Sequence, residues 1–205
     1  MQDRKKEEQN TRELLLEAGK EEFLEKGFEK ASLRKICERA GVTTGAVYFF
    51  FENKEDLFHQ IVSEPIRQME KLGKELSEAE MDGDLPSSDG DSKLMEFLWH
   101  NRKEVQLLME KSNGTRYENF KDEIFSQLEQ SFTMFFQKYG KMGEDKNLIQ
   151  IIVKMRMKGY MELINGGYSM EEMLRLSELI GCYADGGFYS LVNEVEKNHK
   201  QNKEM

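Results

Sequence analysis

The side chains best suited to recognition chemistry lie between Ser32 and Phe51, in the run SLRKICERAGVTTGAVYFFF. Leu33, Ile36, Cys37 and Ala40 recur at helical spacing and form one apolar face. Gly41 permits a tight turn, and Val42 and Val47 dock a second helix onto the first. A protein that reads duplex DNA needs a helix whose first residues are small enough to approach base edges, with backbone amides free to meet phosphate. Thr43, Thr44, Gly45 and Ala46 meet that need. The competing reading is an ordinary helical hairpin inside a core.

The charge pattern bears on that choice. The 205-residue chain carries a formal net charge of −9, which argues against nonspecific attachment to nucleic acid or anionic membrane. Between Lys30 and Lys54 the sign reverses: Lys30, Arg34, Lys35, Arg39 and Lys54 face only Glu38 and Glu52. One basic stretch therefore stands on an acidic molecule. Other chemistries lack their residues. There is no glycine-rich phosphate loop, HExxH or GxSxG, and His59, His100 and His199 are isolated. No catalytic residue, metal or cofactor is assigned, and an enzyme is not expected. Cys37 and Cys182 lie too far apart for a CxxC site and are read as buried, reduced thiols. The longest apolar run is Ala46 to Phe51, far short of the roughly 20 residues that span a bilayer, and no apolar signal core opens the chain. A cytoplasmic protein without a membrane partner is expected.

The elements that must position these residues are all helical, since the apolar spacing shows no sustained period-two run. The pattern predicts helices from about Glu8 to a stop at Gly27, from Ser32 to Gly41, a very short one after Thr43, and a fourth beginning at Asn53. Asp82 to Asp91 reads as a polar surface loop. Beyond it the pattern predicts helices over about Ser92–Lys111, Tyr117–Tyr139, Lys146–Ile164 and Ser169–Lys197. Ser169 and Glu172 form a capping box at the start of the last, and the tail after Glu196 is expected to fray.

The stretch from about Thr11 to Ile61 resembles the amino-terminal domain of the TetR family of bacterial transcriptional regulators. The resemblance rests on Ala18, Phe23, Gly27-Phe28, Ser32, Ile36, Ala40 to Thr43, Gly45, Tyr48, Phe51 and Asn53 to Phe58. It implies an all-α fold of nine to ten helices: a three-helix DNA-binding domain over residues 1–53, and a larger helical bundle over 54–205 for effector binding and dimerisation. Ser32 and Thr43 would hold phosphates, Thr44, Gly45 and Phe49 would face the groove, and Tyr48 and Lys54 would clamp the backbone. Lys54 has a separate rationale, because a cation and free helix-start amides can grip one phosphate together. Arg34 is a further contact. One departure stands out: the family often places a histidine or tyrosine where this chain has Phe49. A phenyl ring donates no hydrogen bond, so specificity would lean on thymine methyls, sugars and DNA shape. Burial of Phe49 against helix one or four is the alternative, and Phe51 is assigned to the core.

A homodimer reading two half-sites of a palindromic operator is the expected geometry. On the last two helices, one stripe holds Ile149, Ile152, Met155, Gly159, Tyr160 and Leu163, and another Leu176, Leu179, Ile180, Tyr183, Leu191 and Val195. Of these, Ile152, Tyr160, Leu163, Leu179, Ile180, Tyr183 and Leu191 are taken as interface residues, against the alternative that both stripes face their own core. Gly181, Gly186 and Gly187 point to a close backbone approach or a kink. Met69, Met95, Leu98, Trp99, Met109, Phe132, Phe136 and Met155 are the candidate lining of an effector pocket, because methionine and aromatic side chains fill changeable space. The expected function is a repressor released from double-stranded DNA by an apolar or amphipathic small molecule, coupled through helix four and Pro65. The alternative is a DNA-binding protein of the same fold controlled by a protein partner or acting architecturally.

Overall fold

The structure is a computed structural model that describes residues 2–81, 88–140 and 145–201. All regular structure among the described residues is helical: α1 (Gln2–Lys30), α2 (Leu33–Ala40), α3 (Thr44–Phe50), α4 (Lys54–Met81), α5 (Ser88–His100), α6 (Arg102–Glu110), α7 (Phe120–Gly140), α8 (Lys146–Asn165) and α9 (Met170–Gln201). The chain folds into two compact units. Residues 1–84 and 100–121 make the first, and residues 85–99 and 122–205 the second. This division by packing differs from the expected one at 53/54, because α4 and α6 pack on α1. The 53/54 boundary expected from the sequence divides expected roles and not packing units.

Glycine and small polar residues set the local boundaries in the first unit. Gly27 takes φ 73° and ψ 160°, a conformation that breaks α1 before a last short turn to Lys30. Beyond it, the Phe28 amide donates to the Lys111 carbonyl at 3.0 Å. Gly41 sits at φ 69°, donating to Glu38, while the Val42 amide reaches the Cys37 carbonyl at 3.0 Å. These two bonds form a Schellman motif that ends α2 and turns the chain into α3. Asn53 caps α4, its side-chain oxygen accepting from the Asp56 amide at 2.9 Å. α4 continues through the buried Pro65, whose missing N–H opens one gap in the helix ladder.

The core of this unit is built from Leu15, Phe23, Phe28, Ile36, Val47, Phe51, Leu57, Phe58 and Val62, with Val105, Leu107 and Leu108 added by α6. Phe23, Phe28 and Phe58 form a ring cluster with centroids 5.2–5.8 Å apart. Gly19 lets α1 approach α4 closely, since a Cβ there would lie 3.1 Å from Leu57 Cδ2.

In the second unit, Phe136 of α7 and Ile149 and Val153 of α8 form a buried centre. Phe125, Leu128, Phe132, Ile152, Phe188 and Leu191 pack around it. The α9 capping box is present as expected: the Glu172 carboxylate accepts from the Ser169 amide at 3.1 Å, and Ser169 Oγ accepts from the Glu172 amide at 3.2 Å.

Several expectations need correction. The single helix over Ser92–Lys111 is two helices, separated at Asn101, which leaves helical geometry at φ −110° and ψ 21°. Asparagine competes with the backbone for hydrogen bonds and favours such breaks. α7 begins at Phe120 instead of Tyr117, because Ser112 and Thr115 hold the preceding residues in turns. The Thr115 hydroxyl donates to the Ser112 carbonyl at 2.7 Å and accepts from the Tyr117 amide at 3.0 Å. Ser88 to Asp91 belong to α5 and not to a loop, whereas 82–87 lie outside the described residues. The side chains of the tail after Glu196 also lie outside them. Cys37 is buried as expected, but Cys182 is exposed on α9.

Candidate nucleic-acid interface

α2 supports α3 from beneath. Ile36 and Cys37 of α2 and Val47 of α3 are buried, and this packing fixes which side of α3 faces away from the protein. On that outer side Tyr48 is 61% and Phe49 69% exposed. Phe49 therefore does not pack into the core, whereas Phe51 does, at 1% exposure. Thr43, Thr44 and Gly45 are exposed beside them. Ser32 and Thr43 precede α2 and α3 in extended geometry, and neither hydroxyl caps its helix. Both are left as hydrogen-bonding groups at a helix start, where partial positive charge favours an anion.

Basic side chains flank this surface. Arg34 and Lys35 are exposed on α2 and share Glu38, at 3.0 and 2.8 Å. These two cations hold the Glu38 carboxyl below its ordinary range, Lys35 contributing most. Lys35 belongs to the basic stretch read from the sequence but not to the expected DNA contacts. Arg39 turns the other way, pairing with Glu25 of α1 at 2.9 Å and approaching the buried Glu22 at 3.6 Å.

Lys54 has a different position from the expected phosphate clamp. Its ammonium donates to the carbonyls of Phe28, Glu29 and Ala31 at 2.7, 3.1 and 3.1 Å and lies 4.5 Å from the centre of the Phe28 ring. Burial lowers its pKa, partly offset by Glu29. In the free chain Lys54 closes the end of α1, and a phosphate contact would require exchanging some of these bonds.

A second set of contacts had no sequence signal. α1 and α6 are joined by Lys20 with Glu104, and by Lys103 with Glu17 at 3.1 Å and with Glu21. The turn after α6 is fastened to α4 through Arg116 with Glu55 at 3.1 Å, and through a His59–Tyr117 hydrogen bond with the two rings stacked. Partners 61 positions apart, as Glu55 and Arg116 are, carry no local pattern.

The remaining predicted residues fall in several places. Met95, Leu98, Met109 and Phe136 are buried, Met69 and Phe132 are half-buried, and Trp99 Nε1 donates to the Tyr168 carbonyl at 3.3 Å. Met155 is 63% exposed and so faces outward instead of lining an interior pocket. A concavity among the described residues lies on polar turns of α1, lined by Lys6, Glu7, Gln9, Asn10 and Glu13, none of them a predicted pocket residue.

Of the predicted interface residues, Leu163 is buried, and Ile152 and Leu191 pack against the core of their own unit, which removes them from an outward stripe. Tyr160 is half-buried, its hydroxyl accepting from Arg156 at 3.0 Å. Leu179, Ile180 and Tyr183 are exposed as an outward stripe requires, and on α8 the outward apolar residues are Ile151 and Met155. Met155 belongs to the expected α8 stripe and Ile151 does not, so the outward apolar face shares only part of that stripe. Val195 lies outside the residues whose side chains are described.

Residues 15–61 match the family described as bacterial regulatory proteins, tetR family. The family match covers this amino-terminal segment, about a quarter of the chain. The HTH-type transcriptional repressor BepR of Brucella suis biovar 1 (strain 1330) is 47% identical over 58 residues, which are 28% of each protein. The HTH-type transcriptional regulator AcrR of Shigella flexneri is 42% identical over 57 residues, 28% of this chain and 26% of that one. The chain thus spans about a quarter of the length of these curated relatives. Both relatives are named as transcriptional regulators. The fold likeness extends further. A transcriptional regulator from Aquifex aeolicus VF5 superposes with a TM-score of 0.55 at 22% identity, covering 84% of this chain and 99% of that one. A TetR-like regulator from Rhodococcus sp. RHA1 gives 0.57 at 15% identity, covering 86% and 96%. No described helix is long and apolar enough to cross a membrane.

Proposed function

We propose that this chain is a transcriptional regulator that binds double-stranded DNA as a homodimer, with α3 in the major groove of each half-site, and acts as a repressor. The observation that carries the reading is the outer face of α3: Thr44, Gly45, Tyr48 and Phe49 are exposed in a tetR-family domain, beside two hydroxyls that their own helices leave unused. In this reading Ser32, Thr43, Tyr48 and Arg34 hold the sugar-phosphate backbone, and Thr44, Gly45 and Phe49 approach base edges. Lys54 joins the phosphate contacts only by releasing part of its grip on α1. The repressor role is supported by BepR, whose name states that activity.

Dimerisation is supported by apolar residues that a lone chain leaves in water: Ile151 and Met155 on α8, and Leu179, Ile180 and Tyr183 on α9. Gly186 and Gly187 continue the α9 face, and a Cβ built on either meets nothing within 4 Å, so a partner helix has room to approach. Release by an apolar or amphipathic effector completes the proposal, supported by the large buried side chains Met95, Leu98 and Phe136. To weaken operator binding 100-fold the effector must favour the incompetent state by about 2.7 kcal/mol, an ordinary coupling energy.

The test is selection of bound duplexes from a random DNA pool at moderate, fixed salt. One inverted-repeat consensus is the expected product. Recovery of bound DNA with no consensus rejects sequence reading by α3. Thermal stabilisation across an apolar library, followed by release from the selected duplex, tests the effector.

A further inference from the structure

α3 reads TGAVYFF and contains no charged side chain, no amide and no imidazole. Its hydrogen-bonding side chains are the Thr44 and Tyr48 hydroxyls, so most of the donor and acceptor code of the major groove lies beyond it. The feature of that groove that an apolar side chain reads is the C5-methyl group of thymine, which has no counterpart on the other three bases.

Phe49 is built for such a contact. Its ring meets Phe50 edge to face, with centroids 4.9 Å apart, and the Phe50 ring in turn lies 6.3 Å from that of the buried Phe51. A row of three rings therefore runs from the core to the tip of α3, and it braces the outermost one. A braced ring loses little side-chain freedom when DNA covers it. Gly45 lies four residues earlier, on the same face of the helix. A Cβ at Gly45 would meet only Thr43 Oγ1, at 4.0 Å, so the space beside the ring is open. The open position and the exposed ring thus share one face of α3.

We propose that Phe49 reads a thymine methyl in each half-site, which packs on its ring on the face left open by Gly45. The proposal rests on the DNA-reading function given above and names the base chemistry that function uses. It makes the operator T:A at the position facing Phe49.

The experiment takes the inverted-repeat duplex recovered from the random pool and replaces thymine by uracil one position at a time. Each replacement removes a methyl group and leaves base pairing intact. Binding of the full-length chain is followed by fluorescence anisotropy at fixed salt. Uracil at the position facing Phe49 is expected to weaken binding about fourfold per methyl, and about fifteenfold when both half-sites change together. Phe49→Ala should bind the parent duplex more weakly and show no further loss with uracil there, while Phe49→Leu keeps part of the sensitivity. Because Phe49 is exposed, an unchanged melting temperature for both variants confirms that they fold. An inverted repeat tolerant of uracil at every position, or a uracil effect that persists undiminished in Phe49→Ala, overturns the proposal and leaves DNA reading standing. Absence of any consensus overturns DNA reading and this inference with it.

Discussion

Gly45 shows how a single position separates what the fold needs from what the surface does. It lies in the first turn of a helix with open space where a Cβ would go, so the fold has no use for a glycine there. Alanine forms helix better than glycine by roughly 0.5–1 kcal/mol. Gly45→Ala is therefore expected to raise the unfolding free energy by about that amount and, in the same protein, to weaken binding to the selected duplex, since the added methyl fills the approach to the groove. Chemical denaturation and anisotropy read the two effects separately, and unchanged DNA affinity would count against α3 entering the groove. Lys54 makes the opposite case. Its ammonium satisfies three carbonyls at the end of α1, and leaving such acceptors without their donor costs about 1–3 kcal/mol. Lys54→Met should lower the melting temperature in the absence of DNA, a loss that a side chain serving phosphate alone would not show.

At the scale of elements, α6 is the piece whose importance only long-range pairs reveal. Lys20 and Glu104 are both largely covered, so removing one partner should cost more than the ~0.5 kcal/mol of an exposed pair and less than the ~3–5 kcal/mol of a buried one. The pH dependence has a definite sign. Burial raises the Glu17 pKa, but Lys103 and Lys20 outweigh that and hold it below its ordinary 4.5. Its contribution to stability is present above 4.5 and disappears as pH falls through the folded value. Burial alone would lower Lys20, yet Glu104 and Glu17 raise it above 10.5; Lys103 is raised as well, chiefly by its bond to Glu21. Their contribution is complete below 10.5 and is lost as pH climbs through the folded values. The expected profile of melting temperature for this network is flat from about pH 5 to pH 10 with a loss on each side. Glu104→Gln should shrink the alkaline loss, and an alkaline limb identical to that of the parent would show that this pair does not fasten α6 to α1. The His59–Tyr117 and Arg116–Glu55 contacts fasten the next turn to α4.

At the scale of the whole molecule, the dimer proposal makes the exposed stripe of α9 a place where charge cannot be tolerated. Tyr183 is 77% exposed in the single chain, so Tyr183→Asp should leave the folded monomer intact. It should convert a dimer to a monomer in sedimentation velocity and weaken operator binding, because each half-site then binds alone. Cys182, exposed beside Tyr183, offers a second reading of the same face. A short bifunctional thiol reagent should link two chains through it, and the link should be lost in Tyr183→Asp. A Tyr183→Asp protein that remains dimeric would place the interface elsewhere.

The sequence alone determined those features whose physics is local. Helix periodicity, the glycines that end α2 and break α1, the caps at Asn53 and Ser169, and the spacing of the reading helix all depend on residues a few positions apart. For the same reason the family was legible from Thr11 to Ile61, where these local signals crowd together. Only tertiary structure decided the rest. Periodicity says that a helix has an apolar face but not what covers it, so Ile152, Leu163 and Leu191 faced their own core while Ile151 and Met155 faced outward. Phe51 was assigned to the core from the sequence, but burial of Phe49 against helix one or four stayed an alternative until the fold left its ring exposed. The ion pairs of α6 depend on partners many tens of residues away. Such contacts exist only once the chain has folded, because no neighbouring residue records them.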